Sequence, residues 1–278
     1  MFGKRKGREP SLIPYYFVLI VLALFAIGPL VTVVFNSLKA NFQIGGSPLT
    51  PPTEFHFSNF VDAWQQGDLA TTMKNSAILT VGTIIGVCVI SGLAAYALSH
   101  LNLPGGNAVI AWLFLSIALP VQLFLVPLFF MWSRLDLQDN LFGLMILYWA
   151  LDSPFLTLLL RSFLMKIPKD FTEAARLDGA NELQVMTRVM LPLAMPGVLT
   201  VGLIAGLNTW NEFFLARTFI QSPDKKPIAT SFLSFQEEFH TDWALTSAAA
   251  LFMLAPAVIL FLFMQRRFVA GLTSGGIK

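Results

Sequence analysis

Runs without a single formal charge set the limits for this chain. Ser11 to Leu38 holds no Asp, Glu, Lys or Arg, and neither does the longer stretch from Asn75 to Ser133. About 20 consecutive apolar residues let an α-helix cross the roughly 30 Å hydrocarbon core of a bilayer. Inside that core the helix succeeds because it satisfies its own backbone hydrogen bonds. Asn75 to Ser133 is long enough for two such helices, broken at "SHLNLPGGN", Ser99 to Asn107, where Pro and Gly mark a turn. Asn140 to Leu164 carries only Asp152 and Arg161, and Val189 to Asn211 and Trp243 to Gln265 carry no charge. The pattern predicts an all-α membrane protein with six transmembrane helices. Composition agrees, with 55% apolar and 12% charged residues against about 25% charged in a soluble domain.

The first ten residues, "MFGKRKGREP", are basic, and the apolar run behind them is too long for a signal-peptide core and lacks a small-residue cleavage site. It reads as a retained first helix, about Pro14 to Ser37. Placing the N-terminus in the cytoplasm puts twelve of the 18 Lys and Arg residues inside and six outside, the bias that cytoplasmic segments carry. Both termini are then cytoplasmic. The predicted organisation is a cytoplasmic segment 1–13, a six-helix domain 14–265 and a cytoplasmic tail 266–278. In the second helix Gly82 and Gly86 have the spacing that lets helix backbones approach closely. The net charge of +2 is too small to point to nucleic acid. Cys88 is the single cysteine, so no disulfide forms within the chain, and His56, His100 and His240 are too scattered for a metal site. No G-x-x-x-x-G-K-[ST] phosphate cradle occurs, so the chain does not hydrolyse ATP in the P-loop manner.

The most polar long stretch near the middle is "EAARLDGANELQVMTRVMLPLAMP", Glu173 to Pro196, within a loop of about residues 166–195 that joins helices 4 and 5 on the cytoplasmic side. At about 100° per residue, Phe171, Ala174 and Ala175 share one face and Thr172, Glu173 and Arg176 the other. Gly179 tolerates positive φ and ends the short helix. A second short helix follows, with Leu183, Met186, Val189 and Met190 on one apolar arc, until Pro192 closes it. Such a helix-turn-helix is either an interfacial anchor for the loop or a docking element, in which small alanines allow close approach and Glu173 offers an ion pair.

The stretch resembles the cytoplasmic Glu-Ala-Ala loop of permease subunits in binding-protein-dependent ABC importers, through Glu173, Ala174, Ala175, Asp178, Gly179, Ala180, Leu191, Pro192 and Pro196. "IPKDF" before the loop, "TWNEFF" (Thr209 to Phe214) and "QRRFVAGLTSGGIK" at the end look like the carbohydrate branch, typified by the smaller membrane subunit of maltose importers. Met186 departs from the family, which usually has an aromatic residue there. The resemblance implies a permease, not an enzyme, that translocates a sugar or oligosaccharide delivered by an extracytoplasmic binding protein. It implies as partners a second homologous permease forming a heterodimer, a dimer of ATP-binding subunits carrying the ATP and Mg, and the bilayer of a bacterial-type inner membrane. Glu173, Ala174, Ala175, Asp178, Gly179, Ala180 and Met186 would couple to the ATPase. Gly271, Ser274, Gly275 and Gly276 would lie against it in an extended tail.

Polar residues within a span usually face the bundle interior or a water path. Asn208, Asn211 and Glu212 in helix 5, with Asp152 in helix 4, are therefore candidates for the solute path. Trp210 offers either a ring to stack on a sugar or an interfacial anchor. The rival reading is an ion-coupled secondary transporter, which needs titratable groups near mid-membrane, a role only Asp152 and Glu212 could fill.

Overall fold

The computed structural model describes residues 12–45, 49–235 and 241–274. Two compact units emerge. One takes in the described residues up to Gln66 together with Phe235–Phe252. The other takes in Gly67–Ser234 and the chain from Met253 onward.

In the first unit, α1 (Ile13–Ser37) starts with Pro14 in its first turn, where a missing N–H costs nothing. Its side chains are largely exposed, as expected of a helix whose solvent is lipid rather than protein. Helix α2 (Ser58–Gln66) is tied to the end of α1, because Asn59 Nδ2 donates to the carbonyls of Ser37 at 2.9 Å and Lys39 at 2.8 Å. Phe252 packs edge-on against Trp64, with ring centroids 5.2 Å apart.

The second unit is built around α3 (Leu69–His100). The chain then forms α4 (Gly106–Ala118), α5 (Leu125–Arg134) and α6 (Leu141–Leu164). After these come α7 (Asp170–Leu177), α8 (Glu182–Gln184), a π-helical turn over Val185–Met190, α9 (Leu191–Leu193), α10 (Met195–Asn211) and α11 (Phe214–Phe219). Helix α12 (Trp243–Ser274) begins in the first unit and ends in the second.

Helices α3, α6 and α10 pack on one another, and glycines set how closely. A Cβ on Gly82 would meet Met145 Sδ at 2.5 Å, and one on Gly86 would collide with the Trp149 indole. The Trp149 N–H uses that proximity, donating to the Gly82 carbonyl at 3.0 Å. The expected close approach at these two glycines is therefore present, between α3 and α6.

Among the described residues three helices are long and apolar enough to cross a membrane unbroken, α1, α3 and α6, or up to five spans if each of two bent pairs counts as one. The expected third helix is one of those pairs, folded by 89° between Ala118 and Val121. Pro120 accounts for the break, since a residue before proline is driven out of the helical region, and Leu119 is extended at φ −86°, ψ 119°. The expected sixth span, 243–265, counts as an apolar helix only over Trp243–Ile259 among the described residues. Beyond it the backbone stays helical to Ser274, so Gly271 and Ser274 lie in a helix rather than in the extended tail expected of them. Gln, Arg, Ala and Leu over this stretch favour helix, and one internal Gly costs only about 1 kcal/mol. Gly275 and Gly276 lie outside the described residues.

Candidate functional site

Local chemistry fully accounts for the bend between α7 and α8. Asp170 and Glu173 occupy the first turn of α7 and Arg176 its last, each charge complementing the helix dipole. Gly179 sits at φ 83°. Its N–H donates to the Arg176 carbonyl and that of Ala180 to the Ala175 carbonyl, both at 3.0 Å, the paired bonds of a Schellman stop. One residue on, Asn181 opens α8 with a capping box. Its side chain accepts from Gln184 N at 2.9 Å, and its own N–H donates to Gln184 Oε1 at 2.9 Å. Stop and start are thus nearly fused, which fixes the angle between the two pieces.

The inner side of this element continues the bundle core. Val185, Met186, Met190 and Ala194 are buried in one cluster with Tyr96 of α3 and Leu156, Leu160 and Leu164 of α6. Ala175 and Ala180 are partly buried against the same cluster. One expectation changes here. Leu183 is exposed and Val185 takes its place inside, because a π turn, with its i→i+5 bonds, shifts the register of the apolar arc. Met186 is buried in the same core cluster.

The faces of α7 also differ from the wheel. Thr172 is the buried residue, its hydroxyl donating to the Lys169 carbonyl at 2.7 Å. Phe171, Ala174 and Leu177 point outward together with Asp170, Glu173 and Asp178. Leu177 is 89% exposed and Phe171 47%. Assigning every apolar residue to the interior fails because this helix keeps apolar groups on its outer face. Among the described residues the Glu173 carboxylate accepts no hydrogen bond.

The expected solute-path residues separate into two groups. Asp152 Oδ1 accepts from Asn208 Nδ2 at 3.0 Å, and both line a 160 Å³ cavity with Val121, Tyr148, Thr209 and Glu212. The Thr209 hydroxyl is buried without a hydrogen-bond partner among the described residues, leaving hydrogen-bonding capacity at this cavity. Glu212 is not in a helix. It lies in the break between α10 and α11, with extended backbone (φ −71°, ψ 120°). Its carboxylate accepts from Leu215 N at 2.8 Å, Ala216 N at 3.0 Å and the Tyr148 hydroxyl at 2.8 Å, so it caps α11 and anchors it to α6. Trp210 donates its indole N–H to the Met253 carbonyl at 2.9 Å, and Asn211 Nδ2 donates to the Leu207 carbonyl at 2.8 Å. Both therefore serve as internal ties.

Sequence reasoning missed Tyr96 and Glu182. The Tyr96 hydroxyl donates to Glu182 Oε2 at 2.6 Å, while Arg176 donates to the same carboxylate through Nε at 2.7 Å and Nη2 at 3.2 Å. Arg176, then Tyr96, hold the Glu182 carboxyl below its ordinary range. Tyr96 and Glu182 stand 86 positions apart, and no local pattern marks either.

Known proteins share this architecture. The family described as "Binding-protein-dependent transport system inner membrane component" matches residues 86–274. The chain is 35% identical to the probable ABC transporter permease protein YurM of Bacillus subtilis, over 94% of this chain and 87% of that one. It is 34% identical to the sulfoquinovosyl glycerol transport system permease protein SmoH of Agrobacterium fabrum, over 94% and 91%. In fold it is similar to a chain in the crystal structure of a bacterial ABC transporter involved in alginate import, with a TM-score of 0.79 at 24% identity, covering 94% of this chain and 99% of that one. With the bent helix pair and the apolar helices in place, the chain belongs to the inner membrane components of binding-protein-dependent transport systems and is a multi-pass ABC permease subunit.

Proposed function

We propose that this permease passes a neutral or polar sugar or oligosaccharide across the inner membrane, driven by a separate ATPase dimer that docks on α7. The observation that carries this reading is the two-sided chemistry of that helix. Its inner face is continuous with the bundle core, while its outer face presents Phe171, Ala174 and Leu177 interleaved with Asp170, Glu173 and Asp178. An exposed apolar strip with charges at its edges is the composition of an interface core and rim. Force applied there reaches α3 and α6 through packed side chains.

The solute class follows from the cavity and the relatives. Asp152, Asn208 and Thr209 offer acceptors and donors suited to hydroxyl groups. Curated relatives include permeases for diacetylchitobiose in Streptomyces coelicolor and arabinooligosaccharides in Halalkalibacterium halodurans. At 160 Å³ the cavity is below the roughly 300 Å³ at which small-molecule pockets begin. One chain therefore supplies one wall, and a second, homologous permease supplies the other. A loaded binding protein meets the extracytoplasmic face, ATP and Mg are bound by the ATPase, and both termini are cytoplasmic.

The test is reconstitution of the chain with its companion permease, ATPase and binding protein in proteoliposomes, following ATP-driven sugar uptake. Glu173→Arg reverses the charge at the docking face and should cut uptake by about tenfold or more while the chain still reaches the membrane. Normal uptake by that variant, or uptake with no ATPase present, overturns the reading.

A further inference from the structure

One carboxylate, that of Glu182, ties three helices together. Arg176 ends α7, Glu182 opens α8 and Tyr96 lies one turn from the end of α3. The Arg176 fork engages both carboxylate oxygens, a planar geometry that fixes direction as well as distance. Tyr96 then fastens that pair to α3 through a 2.6 Å bond, and its ring stacks on His100 with centroids 5.7 Å apart.

An exposed ion pair by itself does little for a fold, and Arg176 and Glu182 are 36% and 48% exposed. The tyrosine changes the balance. Tyr96 is only 3% exposed and packed in the core cluster. Removal of Glu182 takes away the only side-chain acceptor its hydroxyl has among the described residues, and buried polar groups are costly to leave unpaired. Helix α3 in turn packs along α6 and α10, the helices that carry Tyr148, Asp152 and Asn208 at the polar cavity. A shift of α7 thus reaches the solute path by two routes, apolar packing through Met186 and Met190 and directional bonding through Glu182.

We infer that Glu182 is a positioning residue that clamps α7 and α8 to α3, so that the docking helix and the central helix move as one body. The inference rests on the reading that an ATPase docks on α7, but the clamp itself is measurable without one.

In the full chain in nanodiscs, with Cys88→Ser and spin labels on Lys169→Cys and Leu93→Cys, the distance distribution between α7 and α3 should be narrow. Glu182→Ala should broaden it, and Glu182→Gln, which keeps an acceptor for Tyr96, should broaden it less. Tyr96→Phe should broaden it too, and the Tyr96→Phe/Glu182→Ala double variant should add nothing to Glu182→Ala, because both remove the same bond. In the assembled complex, Glu182→Ala should lower ATP-driven sugar uptake per ATP hydrolysed by about fivefold or more, with the KM for MgATP unchanged because the nucleotide site is on another subunit. Unchanged distance distributions, or additive effects in the double variant, overturn the clamp. Broadened distances with a normal uptake-to-hydrolysis ratio overturn its role in coupling. Failure of the wild-type chain to bind any ATPase would instead strike the docking reading and leave the distance measurement to decide the clamp.

Discussion

Glu173 on α7 is exposed and accepts no hydrogen bond among the described residues, whereas the carboxylate of Glu212 accepts three, from Leu215 N, Ala216 N and the Tyr148 hydroxyl. Both residues were read from sequence as functional polar groups in an apolar chain. Glu212 caps a short helix and holds it to α6, so its polarity is consumed by the fold. Glu173 sits on a helix whose stop and start are already satisfied by Gly179 and the Asn181–Gln184 box, so its charge remains available to something outside the chain. In a membrane protein, polarity alone does not mark a site. A polar group with spare bonding capacity does.

The comparison breaks most readily at Glu212. Glu212→Ala leaves two backbone N–H groups and a buried tyrosine hydroxyl without their acceptor, at about 1–3 kcal/mol each. The variant should lose about 3–9 kcal/mol of stability over the three groups, seen as a sharply lowered thermal midpoint in detergent, with Glu212→Gln intermediate. A loss below about 1 kcal/mol would show that the cap is not what holds α11. Glu173→Ala should do the reverse. Its thermal midpoint should stay within about 0.5 kcal/mol of wild type, as for surface substitutions generally, while ATP-driven uptake falls. A Glu173 variant that unfolds the chain would put both glutamates in the same class and dissolve the distinction.

Trp210 extends the contrast at smaller scale. Its indole N–H donates to the Met253 carbonyl, so Trp210→Phe should cost about 1 kcal/mol through one lost hydrogen bond and leave sugar selectivity unchanged. A change in which sugar is carried, at unchanged stability, would return Trp210 to the solute path.

Much of this was legible from residue order, and the rest was not for identifiable reasons. Runs with few or no charges located α1, α3 and α6, because a bilayer admits few alternatives to a long helix. Gly179 announced the bend, since a left-handed residue there is a local requirement. The 89° fold at Pro120 was hidden inside an apolar run, where hydropathy has no resolution. The π turn over Val185–Met190 moved Leu183 out and Val185 in, a shift that a fixed 100° wheel cannot represent. Thr172 is buried and Phe171 exposed on α7, an assignment that the wheel alone, which fixes which residues share a face but not which face is inside, does not contain. Glu182 was invisible for a different reason: its meaning depends on Tyr96, brought to it by the packing of α3 against the loop.

Asp139 offers the finest test of how a carboxylate is used. It lies between α5 and α6 and accepts from the N–H groups of Gln221 at 3.0 Å and Ser222 at 2.9 Å, from the Ser222 hydroxyl, and from Lys225 Nζ at 3.2 Å. Burial pushes its carboxyl up, but the bonds from Ser222, Gln221 and Lys225 outweigh that and hold it well below the usual carboxylate range. A group whose folded pKa is depressed stabilises the fold above its unfolded pKa, near 3.9, and that contribution is lost as pH falls from there through the folded value. Asp139→Asn should therefore cost about 0.5–1 kcal/mol at pH 7, and the gap to wild type should be the same at pH 5, where the native carboxylate is still ionised. Only below about pH 4 should the two thermal midpoints converge. Convergence already between pH 7 and pH 5 would mean that the Asp139 carboxyl takes up its proton above the ordinary carboxylate range, so that burial outweighs the bonds from Ser222, Gln221 and Lys225.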